Sequence, residues 1–294
     1  MNLSKQQSFF LLHFIIIIWG FTGILGKLIT MPSEVIVWNR MIIAFICLLT
    51  IKLLSNNNNN ITTYGYLQYI FIGFLIAIHW ICFFESIKLS TVSLALVCLS
   101  SISLFTAILE PIIQKKKIRI YELLLSLLVI IGIIVIHSYE TNYSYAIFLS
   151  ITSAFFGALF TVFNHTLIQN NHKAISMTAW EMFGGALALT IYLVLTQQFN
   201  YTIIPNEDDV LYIIILGTIC TAFAFSASTE VMKQLSPFTV NLSVNLEPIY
   251  AIIIALIIFG DNEKMSIEFY IGAMIILASV IMNSIIKKYY TKLD

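Results

Sequence analysis

The stretch Glu85-Ser86-Ile87-Lys88-Leu89-Ser90 has a counterpart 145 to 146 residues later, Glu230-Val231-Met232-Lys233-Gln234-Leu235-Ser236, in which one residue is inserted. A second pair of segments matches at an offset of 142: Trp38-Asn39-Arg40 followed by Ala44, and Trp180-Glu181-Met182 followed by Ala186. Each match is short, but the two offsets are nearly equal. They therefore predict a duplicated chain made of two halves, residues 1–140 and 141–294.

The composition predicts that both halves lie in a membrane. Of the 294 residues, 59% are hydrophobic and 10% are charged, whereas a soluble domain carries about 25% charged residues. Apolar runs recur along the whole chain, and runs of about 20 residues are long enough to cross a hydrocarbon core about 30 Å thick. Lipid cannot satisfy the open edge of a sheet, so the runs are expected to be helices. The predicted fold class is an all-α polytopic membrane protein, and nucleic acid is not expected among its partners.

Ten transmembrane helices are predicted, five in each half. They cover residues 8–28, 34–54, 66–87, 90–113, 119–138, 143–168, 174–196, 208–231, 236–259 and 267–287. Because five is an odd number, the second half enters the membrane inverted, as in the inverted repeats of secondary transporters. The polar stretch at 55–60 is expected to be a flexible loop.

The distribution of Lys and Arg predicts the orientation in the membrane. If the N-terminus is cytoplasmic, eleven of these residues lie on the inside: Lys5, Lys52, Lys115, Lys116, Lys117, Arg119, Lys173, Lys233, Lys287, Lys288 and Lys292. Three lie outside: Lys27, Lys88 and Lys264. Positive residues are enriched in cytoplasmic loops. Both termini are therefore predicted to be cytoplasmic, in the inner or plasma membrane of the cell.

Residues that could support catalysis or hold a metal ion are scattered. The cysteines Cys47, Cys82, Cys98 and Cys220 lie inside apolar runs without paired spacing, and the histidines lie in different spans. An intramembrane enzyme needs paired catalytic groups or a ligand cluster, and no HExxH or GxSxG motif occurs. The protein is not expected to be an enzyme, and no cofactor or metal is predicted.

Several short motifs give the chain a resemblance to a known family. They are Trp19-Gly20, Arg40 with Ala44, Ser90, Ser236-Pro237, and Leu246-Glu247-Pro248 followed by Phe259-Gly260-Asp261-Asn262-Glu263. Together with the two five-span halves, they make the chain resemble the EamA-like transporters of the drug/metabolite transporter superfamily. The resemblance implies a ten-helix exporter whose central cavity is lined mainly by spans one, three, four, six, eight and nine. The first half departs from the pattern, because it lacks counterparts of Pro248 and Glu263.

Polar and aromatic residues inside these spans are the candidates for binding substrate. They are Trp19, Thr22, His79, Phe83, Ser93, Ser100, Thr221, Phe225, Asn241 and Asn245. Trp19 either stacks on a substrate or fills the helix bundle. His79 either accepts a proton or bonds a substrate carboxylate, or is bonded to a neighbouring helix. Asn164 and His165 are expected at the membrane interface.

The tetrapeptide Leu-Glu-Pro-Ile occurs twice, at 109–112 and 246–249. The copies are 137 residues apart, eight or nine positions out of register with the duplication, which places Ser101 opposite Glu247. They are therefore not symmetry mates. Glu110 is expected near the cytoplasmic surface and Glu247 near the middle of span nine.

Glu247 has two interpretations, because a charged side chain inside a membrane is costly. It is either a proton carrier or the partner of a substrate ammonium group, or it is a structural carboxyl. At 100° per residue, Asn241 and Asn245 share one face of a helix while Glu247 lies nearly opposite. Only one of these two faces is expected to line the cavity.

Arg40 is predicted to form a buried ion pair with Glu85 or Glu34 that positions helices, since an unpaired arginine in a membrane is unfavourable. In the second half, Glu181 and Glu230 are the expected inverted counterparts of these residues, near the cytoplasmic side. Their candidate partners are Lys233 and Lys173.

The function that follows is secondary transport by alternating access at a midplane cavity. The expected activity is export of small metabolites, first among them amino acids or related compounds. The alternatives are export or flipping of lipid-linked sugars, drug efflux and, ranked lowest, an intramembrane enzyme. The predicted partners are a small-molecule substrate and membrane lipids, and the chain is expected to act as a monomer. Proton coupling through Glu247 or His79 is left open.

Overall fold

The computed structural model describes residues 3–54, 62–199 and 203–290, without the side chains at 283, 284 and 287–290. The loop predicted at 55–60, the tail residue Lys292, and the side chains of Lys287 and Lys288 lie outside the described residues.

The described residues form ten helical spans, α1 to α10, of which three are divided into segments. Their bounds are α1 Lys5–Leu28, α2 Ser33–Leu54, α3 Thr63–Leu89, α4a Val92–Leu99, α4b Ile102–Gln114, α5 Ile120–Tyr139, α6 Ser144–Gln169, α7 Ala174–Leu195, α8a Glu207–Gly217, α8b Ala224–Val231, α9a Pro237–Val244, α9b Glu247–Phe259 and α10 Ile267–Tyr290. Nine spans are long and apolar enough to cross a membrane, and the apolar part of α10 is shorter. Each predicted span coincides with one of these ten, so the predicted all-α fold is confirmed.

Polar residues at the helix starts explain why the predicted boundaries were close. The side chains before α1, α3, α4a, α8a and α9a accept a hydrogen bond from a backbone N–H of the first turn: Ser4, Thr62, Thr91, Asn206 and Ser236. Such caps satisfy donors that the helix itself leaves free.

The fourth and ninth spans are broken near their middle, whereas the sequence predicted continuous helices. Helix α4b begins at Ile102 and α9b begins at Glu247. The two breaks are thus related by an offset of 145, which lies within the predicted register of 145 to 146. In the ninth span, Pro248 has no backbone N–H to continue the helical hydrogen bonds from α9a. In the fourth span, the hydroxyl of Ser101 donates to the carbonyl of Cys98 at 2.9 Å, a side-chain bond of the kind that competes with regular helix.

The eighth span contains a π-helical segment, Thr218–Phe223, between α8a and α8b. Inside it, Thr221 Oγ1 donates to the carbonyl of Leu216 at 2.6 Å. Such widened turns in otherwise α-helical segments are frequently found at functional sites.

The fifth helix of each half lies at the edge of the bundle, where α5 and α10 pack against each other. Gly132 and Gly272 face each other there, so that a Cβ added to either would lie 2.7 Å from the carbonyl oxygen of the other. Small residues allow this close approach of membrane helices. The other eight spans surround the centre of the molecule.

The positive charges are divided unequally between the two ends of the bundle. One end, called the basic end below, carries Lys5, Lys52, Lys115, Lys116, Lys117, Arg119, Lys173 and Lys233, and the opposite end carries Lys27, Lys88 and Lys264. Because the number of spans is even, α1 begins and α10 ends at the basic end. That this end faces the cytoplasm stays a prediction.

Candidate functional site

A cavity of about 80 Å³ lies where the two helix breaks meet the centre of the bundle. Its wall comes from α1, α2, α3, α4, α6, α8 and α9, which are the spans that the family resemblance implies with the addition of α2. Eight of the residues selected from the sequence line it: Trp19, Thr22, Arg40, His79, Phe83, Phe225, Asn241 and Glu247. That these residues bind substrate stays a prediction.

The sequence missed nine wall residues: Trp80, Leu99, Ile102, Phe160, Thr161, Asn164, Met232, Val240 and Val244. Most are apolar or aromatic residues that resemble ordinary core residues of a membrane helix. Ser228 and Thr229, whose place in the polar part of span eight predicts hydrogen bonds along a cavity wall, also line the cavity. Ser93, Ser100, Thr221 and Asn245 were predicted to line the cavity and do not, for the reasons given below.

Arg40 reaches the cavity instead of forming the predicted ion pair. Its Nε and Nη2 donate to Thr221 Oγ1 at 3.0 and 2.8 Å, and its guanidinium lies 3.8 Å from the ring centroid of Trp80. Arg40 Nη1 is buried and has no hydrogen-bond partner. The prediction of a pair with Glu85 or Glu34 is wrong, because among the described residues the guanidinium of Arg40 hydrogen-bonds only to Thr221. Glu85 accepts from Ser33 Oγ at 2.7 Å.

Thr221 therefore holds the guanidinium of Arg40 by hydrogen bonds. Thr221 itself lies in the π segment and does not line the cavity. Next to it, the carbonyl of Cys220 accepts a hydrogen bond from Trp19 Nε1 at 3.2 Å. Trp19 is thus fixed at one end and lines the cavity, and its stacking on a substrate stays a prediction.

Glu247 and Asn241 line the same cavity, contrary to the prediction that they face opposite sides. The prediction extrapolated a regular helix through Asn245 and Leu246, where the helix is broken. Glu247 is the first residue of α9b, and no described residue is its hydrogen-bond or ion-pair partner. A carboxyl is electrostatically favourable at a helix N-terminus.

The two asparagines join the broken spans to each other. Asn241 Nδ2 donates to Thr106 Oγ1 at 2.7 Å. In the amide orientation that satisfies its neighbours, Asn245 donates to the carbonyl of Ser100 at 3.2 Å, and its side chain lies 3.3 Å from Ser103 Oγ. Asn245 and Ser100 therefore hold the breaks together and do not line the cavity.

His79 is bonded to a neighbouring helix, as one of its predicted roles requires. Ser153 Oγ donates to the carbonyl of His79 at 2.8 Å, and His79 Nδ1 lies 2.8 Å from the carbonyl of Ser153. This geometry places the proton on Nδ1 and leaves Nε2 as an acceptor. The histidine is thus bonded to a neighbouring helix and still contributes to the cavity wall.

Ser93 belongs to a different site, at the end of the bundle opposite the basic end. The carboxylate of Glu263 is fully buried and accepts from the backbone N–H groups of Val92 and Ser93 at 3.1 and 3.2 Å and from Ser93 Oγ at 3.0 Å. Lys27 Nζ lies 3.0 Å from the same carboxylate. A residue of the second half therefore caps α4a of the first half.

Glu110 makes the equivalent contact at the basic end. Its carboxylate accepts from the backbone N–H of Phe238 at 3.0 Å and lies 3.6 Å from Lys116 Nζ. Here a residue of the first half caps α9a of the second half. The first Leu-Glu-Pro-Ile copy thus supplies a cap like that of Glu263, and only the second copy supplies a residue to the cavity.

The comparisons with known proteins agree with this architecture. The sequence profile of the EamA-like transporter family matches residues 7–138 and 144–285, which together cover most of the chain. The chain belongs to the EamA-like transporter family. It is therefore a multi-pass membrane transporter of small substances. A search of curated proteins finds no match.

A solved crystal structure is similar to this EamA-like transporter over nearly its whole length. It shares 14% sequence identity, covers 94% of this chain and 96% of its own, and superposes with a TM-score of 0.70. At this low identity, the similarity shows a common fold.

Asn164 is fully buried in this EamA-like transporter and lines the cavity, so its predicted interfacial position is wrong. It donates to Glu181 Oε2 at 3.4 Å, and no described lysine pairs with Glu181. Glu230 does pair with Lys233, at 2.6 Å. The sequence placed Asn164 at the interface because this residue lies close to the end of its span. Its burial became visible only from its contact with Glu181 on α7.

Proposed function

We propose that the protein exports amino acids or closely related metabolites across the cell membrane by alternating access at the central cavity. The observation that carries this proposal is the pair of ionisable side chains in the cavity wall, the Arg40 guanidinium and the Glu247 carboxyl. Arg40 Nη1 has no acceptor, and Glu247 has no partner among the described residues. An amino acid offers a carboxylate to the first and an ammonium group to the second, and charged hydrogen bonds of this kind are among the strongest.

The size of the cavity favours a small solute. A site needs about 10–15 Å³ for each water-sized group, so a volume of about 80 Å³ holds roughly five to eight such groups. This range includes the six non-hydrogen atoms of alanine. A lipid-linked sugar is far larger, which disfavours the alternative of a flippase.

The rest of the wall is suited to a small apolar side chain. Trp80, Phe83, Phe160 and Phe225 all face the cavity, and Phe160 and Phe225 contact each other at a centroid distance of 5.6 Å. Apolar walls with a few fixed polar groups are typical of small-molecule sites.

The two carboxylate caps support alternating access. Glu263 joins the halves at one end of the bundle and Glu110 joins them at the other, on opposite sides of the cavity. Rocking of the halves about a central site would break one of these contacts while the other holds. The concentration of lysines at the basic end supports cytoplasmic termini, with export toward the opposite end.

Uptake of labelled amino acids by proteoliposomes tests the proposal, with Arg40→Gln and Glu247→Gln as variants. Each variant removes one charged hydrogen bond worth about 1.5–3 kcal/mol, so its KM should rise by roughly 10- to 100-fold. Glu207→Gln is the matched control, because Glu207 is exposed in the first turn of α8a. If purified protein moved no amino acid, or if both cavity variants transported like the control, the proposal would be abandoned.

A further inference from the structure

One buried carboxyl behind the cavity wall has no charged partner. Glu181 on α7 has 0% exposure and takes part in no ion pair among the described residues. Its Oε2 accepts one long hydrogen bond, 3.4 Å from Asn164 Nδ2, and its Oε1 has no partner. A carboxylate buried in this way is strongly unfavourable in the interior of a membrane protein.

A proton on Glu181 would supply the hydrogen bond that its carboxyl and Asn164 lack. Asn164 Oδ1 is also buried without a partner. Two neighbouring side chains thus each hold an unsatisfied acceptor. A proton on Glu181 Oε1 turns that atom into a donor, and the amide oxygen of Asn164 can accept from it. The acid and the amide then form a reciprocal pair in which both groups are satisfied.

Among the described residues, no lysine, arginine or histidine side chain of the surrounding helices forms a hydrogen bond or ion pair with Glu181, whose one partner is Asn164. On α2, Arg40 bonds to Thr221. On α3, His79 bonds to Ser153. The remaining neighbours on α6 and α8b are His165, which bonds to Gln114 at 2.8 Å, and Glu230, which pairs with Lys233.

Glu181 has a connection in two directions. Toward the cavity, its partner Asn164 is itself part of the wall. Toward the basic end, Tyr69 lies one turn before Gly73 on α3, and a Cβ added to Gly73 would overlap with the carbonyl oxygen of Glu181. The Tyr69 hydroxyl lies 2.5 Å from Nδ1 of His172, in the connection between α6 and α7. The carboxyl thus lies between the cavity and the surface.

The corresponding position of the first half carries no acid. The offset of 142 places Asn39 opposite Glu181, and Asn39 Nδ2 donates to the carbonyls of Val35 and Ile203 at 3.0 and 2.8 Å. The amide at this position is bonded within its own surroundings, whereas Glu181 is not. The titratable group is therefore a specific feature of the second half.

We propose that Glu181 is the proton-binding site through which this transporter couples export to proton movement. This inference rests on the proposed transport function and assigns the coupling to Glu181 instead of Glu247 or His79. In the conformation described, Glu181 is neutral and bonded to Asn164. When the halves rearrange, the O–H bond at Oε1 breaks, and the proton leaves to water at the basic end, on the side of the bundle where Tyr69 and His172 lie.

Infrared spectroscopy of the purified wild-type protein tests the protonation directly. The carbonyl-stretch band of protonated carboxylic acids should be present at neutral pH and should lose the intensity of one carboxylic acid in Glu181→Gln. It should keep its full intensity in Glu207→Gln, the exposed control. If the band is missing from the wild type, or keeps its full intensity in Glu181→Gln, the proposal is overturned. If Glu181→Gln does not fold, Asn164→Leu replaces it: loss of the acceptor should shift the band, and an unshifted band overturns the proposal.

Transport measurements test the coupling. In proteoliposomes, Glu181→Gln should lose accumulation driven by a pH gradient and keep exchange of labelled for unlabelled amino acid, because the neutral amide mimics the protonated acid. Accumulation that persists in this variant would refute the coupling role. If the wild type exchanges no amino acid, the proposed function fails, whereas the infrared result still decides whether Glu181 holds a proton.

Discussion

Replacement of Glu263 by alanine tests the contact that joins the two halves at the end opposite the basic end. The change removes the acceptor of three hydrogen bonds, from two backbone N–H groups of α4a and from Ser93 Oγ. It also leaves Lys27 without its counter-ion. We expect a large loss of stability and an opening of this end of the bundle.

The magnitude follows from the burial of the contact. Loss of a helix cap costs about 0.5–2 kcal/mol, and removal of one partner of a buried ion pair costs about 3–5 kcal/mol. The Lys27 side chain is 24% exposed and also donates to the carbonyl of Ser90 at 3.3 Å. Solvent and this second acceptor reduce the cost of leaving its charge unpaired. We therefore expect a total loss of about 3–5 kcal/mol.

Thermal unfolding in detergent measures this effect. At about 2–4 °C per kcal/mol for chains of 150–250 residues, the melting temperature should fall by roughly 6–20 °C. The control is Asp261→Ala, which breaks the neighbouring exposed pair between Asp261 and Lys264, 2.5 Å apart. This control should leave the melting temperature unchanged, since solvent screens an exposed pair.

A double-mutant cycle separates the ion pair from the cap. The loss of stability in Glu263→Ala should be smaller in the background of Lys27→Met, with a coupling energy in the range of about 0.5–3 kcal/mol. Equal losses in both backgrounds would show that Lys27 does not depend on Glu263. A melting temperature of Glu263→Ala equal to that of the control would refute the reasoning about the cap as well.

Three further predictions concern other parts of the molecule. Gly73→Ala should destabilise the protein by about 1–3 kcal/mol, because its Cβ would overlap with the backbone of α7; a thermal melt like that of the wild type would contradict the packing of α3 on α7. Burial lowers the pKa of His172 below its usual value, so the unfolded chain binds the proton more tightly; stability should be highest above about pH 6.5 and fall as the pH drops below it. Melts of His172→Asn should lack this dependence, and an unchanged pH profile would show that the histidine is not responsible. In intact cells with the native cysteines replaced, an impermeant maleimide should label Asn262→Cys and not Ser4→Cys, and the reverse result would invert the proposed orientation.

The sequence was sufficient for the spans and for their arrangement in two halves. Each apolar run is long enough to cross a membrane, and lipid permits only helices there, so hydrophobicity and length fixed α1 to α10 without knowledge of their contacts. Capping residues such as Ser236 allowed the helix boundaries to be predicted, because a cap acts only on the first helical turn.

The different roles of the acidic residues depended on the tertiary structure. The two Leu-Glu-Pro-Ile copies are identical in sequence, yet Glu110 caps a helix of the other half and Glu247 faces the cavity. Nothing local to either tetrapeptide distinguishes them. The difference arises from where the helix breaks fall and from which element approaches each carboxyl.

The sequence by itself thus determined a ten-helix membrane transporter fold, because the length of each span and its apolar character are properties of contiguous residues. The wall of the cavity was decided only when the helices packed. Helical periodicity relates residues across an unbroken helix, and it fails at the break between Asn245 and Glu247, which brings Glu247 to the same cavity as Asn241. For Arg40 the deciding contacts are with Thr221 and Trp80, residues whose proximity is set by the three-dimensional arrangement of the spans.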